Sequence, residues 1–137
     1  VGDHITMFRL AGQAWEGAYF NVLGTPLGEP AADRVAEIIT KIEPKLKANP
    51  GTGLVGVAPT MLAVEGLKRA GRNLTRESFV EAMESIKDFT SEGLTGPITF
   101  GPNRRHGLNS VKLMKAENAA QNKISQVTGY QMFPPQF

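Results

Sequence analysis

The chain has 137 residues, of which 41% are hydrophobic and 20% are charged, as is typical of a globular protein with one core. Its 15 Lys and Arg residues against 13 Asp and Glu leave a net charge of +2, too small an excess to indicate a nucleic acid as partner. The absence of cysteine excludes disulfides and thiolate metal sites. No apolar run approaches the roughly 20 residues that span a bilayer.

The first part of the chain predicts a short helix, a strand and a long helix. Residues 3–12 carry apolar side chains before a glycine, which favours a short helix or turn. Aromatic and β-branched residues predict a strand in 15–23, and the Gly and Pro content of 24–30 predicts a loop. Residues 31–49 follow helical spacing, with Pro44 expected to end or kink the helix.

Two more helices are predicted in the middle of the chain, after a loop at 49–53. The first covers 57–71, where a glycine forms the natural stop. The second covers 75–89 and begins at Thr75, a plausible N-cap. We expect its buried stripe to consist of four apolar side chains, Phe79, Val80, Met83 and Ile86.

The last third changes to strand-like patterns. "GPITF" (96–100) alternates with β-branched residues, and residues 110–117 alternate Val111 and Leu113 with lysines. With 123–133, this second run predicts a β-hairpin, followed by an extended tail. Three helical segments before a hairpin indicate an α/β fold whose sheet is mostly missing, because a hairpin cannot cover that much helix. Since the first residue is Val rather than Met, we expect either that a leader was removed or that the sequence is a piece of a longer protein, and the missing sheet favours the second.

No motif in the sequence indicates catalysis or metal binding. Arg104, Arg105 and His106 stand side by side after a Gly-Pro break, and we interpret them as a charged turn rather than a phosphate grip. The chain has only two histidines, too few for a metal site, and no nucleophile elbow. Carboxylates such as Glu37, with Lys41 at i,i+4, fit solvated helix faces. Trp15 fits either a pocket wall or packing between strand and helix.

Three stretches in order resemble the type I periplasmic substrate-binding proteins, the branched-chain amino-acid-binding family of ABC importers. "LAGQAWEGAYF" is similar to a strand entry of that family. "MLAVEGLKRAG" followed by "LTRESFVEAMESIKDF" resembles its paired helices. "LTGPITFGPNRRHGLNSVKLMK" resembles a late segment of the family. Together the three stretches extend from Leu10 to Lys115.

The resemblance implies the C-terminal portion of a two-lobed fold with a ligand cleft between its lobes. Residues 1–22 would end the second lobe, 23–108 would belong to the first, and 109–137 would cross back into the second. It implies an extracytoplasmic solute-binding component of an importer, periplasmic or extracellular and membrane-associated in Gram-positive hosts. The implied partners are a small-molecule ligand and an ABC permease, with no cofactor, no enzymatic activity and no nucleic acid. The basic turn would lie on the surface, near the face that meets the permease.

The resemblance also implies where a ligand would bind. Gly2 and Asp3 correspond to the edge of a loop in which the family carries an acidic ligand contact. A second contact region corresponds to Gly56, Val57 and Ala58, just before the "MLAVEGL" helix. The family often has Tyr-Asp-Ala in this region, and Val57, Ala58 and Pro59 stand there instead. The resemblance implies an amino acid or a similar small polar ligand, but the absence of the aromatic and the carboxylate argues against a standard amino acid and favours a more apolar or differently charged small molecule.

Two alternatives remain open at the level of sequence. A ligand-sensing regulatory module would use the same fold, and the chain alone does not separate sensing from transport. A small α/β enzyme would need a nucleophile or a metal set that we do not find. We also expect the chain by itself to self-associate through uncovered apolar helix faces.

Overall fold

The computed structural model describes residues 4–134, so the predicted tail beyond Pro134 lies outside the described residues. Within this range the chain forms helices followed by a small antiparallel sheet, which confirms the predicted α/β class. In chain order the elements are α1 (His4–Ala11), β1 (Tyr19–Val22), α2 (Pro30–Ile42), α3 (Pro50–Ala70), α4 (Arg76–Glu84), β2 (Ser110–Asn118), β3 (Lys123–Gln126) and β4 (Gln131–Met132). Short 3-10 turns follow α1 at Gly12–Trp15 and α2 at Pro44–Ala48.

The sheet is built around β2, which pairs antiparallel with β1, β3 and β4. The register pairs Tyr19 with Lys115 and Val22 with Lys112, so the beginning and the end of the chain lie side by side. The predicted hairpin of β2 and β3 is confirmed, with its turn at residues 119–122.

The face of β2 that is buried is not the one that the alternation of the sequence indicates. The buried positions are Ser110, Lys112, Met114 and Ala116, whereas Val111 and Leu113 are only half-buried. A polar and a charged side chain therefore lie on the covered face of the central strand. This arrangement needs specific partners, because burial of an unpaired charge is costly.

Aromatic packing fixes α1 against the covered face of the sheet. The Trp15 ring lies 4.7 Å from the ring of Phe8 in α1, in an edge-to-face arrangement. It lies 4.8 Å from the ring of Phe20 in β1. Such pairs stabilise beyond their buried area. Trp15 thus packs between helix and strand, the second of the two interpretations that its sequence context allowed.

The helices α2, α3 and α4 form a second group of packed elements. Its core contains Leu62, Ile86 and Ile98, so the irregular segment after α4 completes the packing between α3 and α4. The N-cap prediction is confirmed, because the Thr75 hydroxyl accepts the Ser78 N–H at 3.0 Å and the Ser78 hydroxyl accepts the Thr75 N–H at 2.8 Å. The reciprocal bonds satisfy two backbone donors at the start of α4.

Several sequence-based predictions in this region are wrong. The stretch 49–53 is not a loop, because α3 already begins at Pro50, which suits the first helical position since it lacks an N–H. Helix α4 ends at Glu84 rather than continuing to 89, and Val80 is exposed while Ala82 is buried. "GPITF" forms isolated bridges to Phe89 and Leu108 instead of a regular strand.

The structure consists of two groups of elements, which we name by their content. The sheet unit comprises α1 and β1 to β4, and the helical unit comprises α2, α3 and α4 with the segment that follows α4. The chain passes from the sheet unit to the helical unit through residues 23–29 and returns into β2.

Two glycines of α3 provide a test of helix packing. A Cβ on Gly66 would lie 2.5 Å from Met83 Sδ and 3.0 Å from the Phe79 ring, whereas a Cβ on Gly56 would meet nothing within 4 Å. We expect Gly66→Ala to lower the free energy of unfolding, because overpacking costs about 1–3 kcal/mol. We expect Gly56→Ala to raise it by about 0.5–1 kcal/mol through helix propensity. Denaturant unfolding measures both, and equal effects would contradict this packing.

Candidate functional site

The segment that links the two units is held by backbone and hydroxyl hydrogen bonds. The Thr25 N–H donates to the Leu94 carbonyl at 2.7 Å, and the Thr25 hydroxyl donates to the Gly93 carbonyl. The same hydroxyl lies 3.2 Å from the hydroxyl of Tyr130, which comes from the connection between β3 and β4. Gly24 and Thr95 form an antiparallel bridge. We call the region formed by residues 24–29, 93–96, 110–112 and 130 the junction.

An ion pair between a buried lysine and a half-buried glutamate lies within the junction. Lys112 Nζ donates to Glu29 Oε2 at 2.7 Å, and the lysine side chain is only 9% exposed. The ammonium also lies 4.8 Å from the centroid of the Tyr130 ring, which adds a cation–π contact. Glu29 directly precedes α2, and Lys112 belongs to β2. The pair therefore joins the helical unit to the sheet unit.

Two polar atoms of the junction are buried without a hydrogen-bond partner among the described residues. They are Glu29 Oε1 and the Ser110 hydroxyl. Backbone packs closely against this hydroxyl, since a Cβ on Gly96 would collide with it. The carboxylate is thus bonded through one oxygen only, and its second oxygen remains able to accept a hydrogen bond.

An open cleft of about 500 Å³ lies beside the ion pair, between the segment before α2 and the hairpin of β2 and β3. Its volume falls within the range of small-molecule sites, roughly 300–1,000 Å³. Its lining mixes charged, amide and apolar side chains. The lining residues are Leu27, Gly28, Glu29, Met114, Gln121, Asn122, Lys123, Ile124 and Gln126.

The predicted ligand contacts lie elsewhere or outside the described range. Gly2 and Asp3 precede the first described residue. Gly56, Val57 and Ala58 lie in the first half of α3 rather than in a loop before it, and none of the three lines the cleft beside Glu29. Gly56 is exposed, Val57 is half-buried and Ala58 is buried. Among these three described positions, Gly56 offers the most accessible surface.

A proline inside α3 changes the helix at these positions. Pro59 has no N–H, so the Val55 carbonyl does not receive the usual hydrogen bond from four residues later. One residue on, the Gly56 carbonyl accepts a bond from the Thr60 hydroxyl at 2.7 Å. Val55 is 75% exposed, so its part of the helix is open to solvent. The first half of α3 thus lacks one regular helical hydrogen bond, beside a side chain that faces solvent.

The arginines of the basic turn form hydrogen bonds and an ion pair with other residues of the chain. Arg104 Nη2 donates to the Asn109 side-chain oxygen at 2.9 Å and to the Gly107 carbonyl at 3.3 Å. Arg105 Nη1 lies 2.8 Å from Glu84 Oε1, at the end of α4. His106 is exposed. The geometry supports the interpretation of a charged turn, in which Arg104 shapes the loop and Arg105 remains largely on the surface.

Residues 4–134 contain neither a metal-binding cluster nor a membrane-spanning helix. No group of three or more His, Asp or Glu residues in this range could hold a metal ion. No described helix combines the length and the apolar character that crossing a membrane requires.

The titration of Tyr130 provides a test of the junction. Burial raises the pKa of Tyr130 above its ordinary value of 10.0; the hydrogen bond to Thr25 partly offsets this rise, and the charge of Glu29 adds a smaller increase. An unfolded chain therefore loses this proton at lower pH than the folded one, so stability falls as pH rises from about 10 towards the folded pKa. We expect Tyr130→Phe to lose less stability than the wild type across this window. Denaturant unfolding at stepped pH measures the difference, and parallel curves would contradict it.

Comparison with known proteins identifies the fold and the family. The sequence profile described as periplasmic binding protein matches residues 2–122. No curated protein sequence matches significantly. Among solved structures, the chain is similar to the leucine-binding protein LivK of Thermotoga maritima MSB8, with a TM-score of 0.63 and 20% sequence identity. The alignment covers 97% of this chain and 35% of that protein, so the chain spans about a third of its length.

These matches confirm the resemblance stated from sequence and the predicted partial type I fold. Periplasmic binding proteins bind solutes and are not enzymes, so the prediction that the chain is not an enzyme is also confirmed. Membership implies an extracytoplasmic location. Because the match extends over most of its length, the chain belongs to the periplasmic binding protein family.

Proposed function

We propose that the protein carrying this chain is the solute-binding component of an ABC importer. It binds an amino acid or a similar small polar molecule in a cleft between two lobes. The observation that carries this proposal is the family match over residues 2–122. The two packed units, linked through a polar junction, support it because hinge motion between lobes requires separate bodies with few connections.

The two units support the proposed division into lobes. Residues 1–22 and 109–137 would both belong to the second lobe. The pairing of β1 with β2, in which Tyr19 lies opposite Lys115, supports this because it joins the two stretches in one sheet. Residues 23–108 contribute part of the first lobe and contain the mutually packed helices. In this scheme the junction lies where the lobes meet, which is the usual position of a hinge.

The first half of α3 supports the proposed ligand contacts Gly56, Val57 and Ala58. Gly56 lets a ligand approach the backbone closely, because nothing lies within 4 Å of the position that its Cβ would occupy. The Val55 carbonyl next to it receives no hydrogen bond from Pro59 and would suit a ligand with an N–H or ammonium donor. Gly2 and Asp3 would form the edge of the same site. The leucine-binding activity named for the similar structure makes L-leucine the first probe.

Exposed apolar side chains support self-association of the chain by itself, which stays a prediction. Ile42 of α2 is 79% exposed and Val55 of α3 is 75% exposed. Surfaces of this kind mark contacts with other proteins when they form a patch.

The proposed extracytoplasmic importer component would be periplasmic, or extracellular and membrane-associated in a Gram-positive host.

A bulky side chain at Gly56 tests the ligand site. We expect Gly56→Trp to weaken L-leucine binding at least about tenfold, because the indole fills space that a ligand would use. Lys68→Trp, exposed on the same helix away from this position, is the matched control and should leave the dissociation constant within about twofold. Isothermal titration of the full-length protein measures both, with other amino acids and small carboxylates as further probes. Equal affinity of the two variants would refute the site.

Charge reversal at Arg105 tests the proposed contact with the permease. We expect Arg105→Glu to impair uptake in cells with the ligand dissociation constant unchanged, because the side chain is 68% exposed. Arg104 is unsuitable for this test because it shapes the loop through Asn109. The exchange Glu84→Arg with Arg105→Glu restores the local pair and separates loss of the pair from loss of the surface charge. Unimpaired uptake by Arg105→Glu would remove this face from the permease contact.

A further inference from the structure

We propose that the buried pair of Lys112 and Glu29 acts as a joint between the two units, so that Lys112 is a positioning residue that sets how the lobes are oriented. The inference rests on the proposed function, because it assumes a protein whose lobes move about the junction. Lys112 would act without touching the ligand.

The first support is the position of the pair across the junction. Lys112 lies in β2 opposite Val22 of β1, inside the sheet unit. Glu29 occupies the N-cap position of α2, at the start of the helical unit, and its carboxylate is 2.7 Å from the ammonium. Any rotation of one unit against the other must therefore either keep this bond or break it.

The second support is burial, which decides between these two outcomes. The Lys112 side chain is 9% exposed and that of Glu29 is 30% exposed. Separation of the pair would leave the buried Lys112 ammonium without a compensating charge, which is far more costly than separation of a surface pair. The units therefore move with the pair intact, and the pair lies close to the axis of the motion.

The third support is that this pair can rotate without breaking. An ammonium is a compact charge with three donors and imposes no planar geometry, unlike a guanidinium. Only Glu29 Oε2 is engaged, and Oε1 is buried without a partner among the described residues. The ammonium can thus pass from one oxygen to the other as the units turn. The Tyr130 ring, 4.8 Å from the ammonium, holds it in place during this exchange.

The other bonds of the junction are consistent with a joint at this point. Tyr130 and Thr25 connect the same two units through hydroxyls 3.2 Å apart, and a single hydroxyl contact restrains orientation weakly. Arg34 and Glu92 also form a pair near the junction, but both residues belong to the helical unit and both side chains are more than half exposed. Among the described ion pairs, that of Lys112 and Glu29 is the one that joins the sheet unit to the start of the helical unit.

The test measures lobe orientation without ligand. The chain has no cysteine, so spin labels on Lys68→Cys in α3 and Ala120→Cys in the β2–β3 turn report the distance between units in the full-length protein. We expect Lys112→Met to broaden the distance distribution, because the joint is lost. We expect Lys112→Arg to narrow it, because a guanidinium bonds both oxygens of Glu29. Lys115→Met is the matched control, since Lys115 lies on the same strand and pairs with Glu117 of that strand.

The outcomes separate this inference from the proposed function. Distributions for Lys112→Met and Lys115→Met that both equal the wild type would overturn the joint. If Lys112→Met does not fold, Glu29→Gln keeps the shape of the side chain, and an unchanged distribution for it would have the same meaning. Broadening together with about tenfold weaker L-leucine binding supports both proposals, since coupling of this size is typical between linked sites. Broadening in a protein that binds no amino acid supports the joint and contradicts the proposed ligand.

Discussion

A lysine ammonium buried on the covered face of the central strand is the constraint on which the structure depends. Lys112 needs an anionic partner inside the protein, and Glu29 supplies it from the residue that precedes α2. Pro30 follows as the first helical residue, so the ion pair lies at the start of α2. The start of the helical unit is therefore tied to the middle of the sheet by a charge rather than by an apolar contact.

The two units are stabilised by different interactions. The helical unit has an aliphatic core around Ile86, whereas the sheet unit packs α1 through the rings of Phe8, Trp15 and Phe20. Between them lie hydroxyls, carbonyls and the ion pair. Apolar packing resists sliding and rotation through close contact of many atoms, while a few polar bonds can be exchanged one by one. A polar junction between apolar bodies is the arrangement expected of parts that change their orientation.

Much of the secondary structure could be predicted from the sequence, because local signals determine it. Thr75 caps α4, Pro44 ends α2 and the hairpin follows its turn. The start of α3 could not be predicted from the sequence, because Pro50 and the glycines after it are typical of loops. In the structure, a Cβ added to Gly53 would lie 2.9 Å from the Cγ2 methyl carbon of Ile39, so α3 approaches α2 closely at this glycine. This tertiary contact favours a helix there. The alternation of apolar residues and lysines in β2 indicated that Val111 and Leu113 would be the buried side chains. It could not show that Glu29 pairs with Lys112 and so allows the lysine to be buried instead.

The site could be predicted less well than the fold. The family was recognisable from glycine-punctuated stretches, since glycine positions mark turns that a fold needs. The junction could not be found from the sequence, because its residues are separated by more than eighty positions and none forms a local motif. The ligand contacts at 56–58 came from resemblance alone, and their place inside α3 changes what they offer from loop side chains to exposed helix backbone.

The register of β1 against β2 has a consequence for the order in which the protein folds. Residues 19–22 find their partners only at 112–115, so this edge of the sheet cannot form until Lys115 has been synthesised. The helical unit, by contrast, is continuous in sequence and depends on contacts of shorter range, which form faster. The helical unit therefore resembles an insertion that can collapse first. During that interval Tyr19 and Phe20 lack their cross-strand partners, and this short segment is the part of the chain most in need of protection from aggregation.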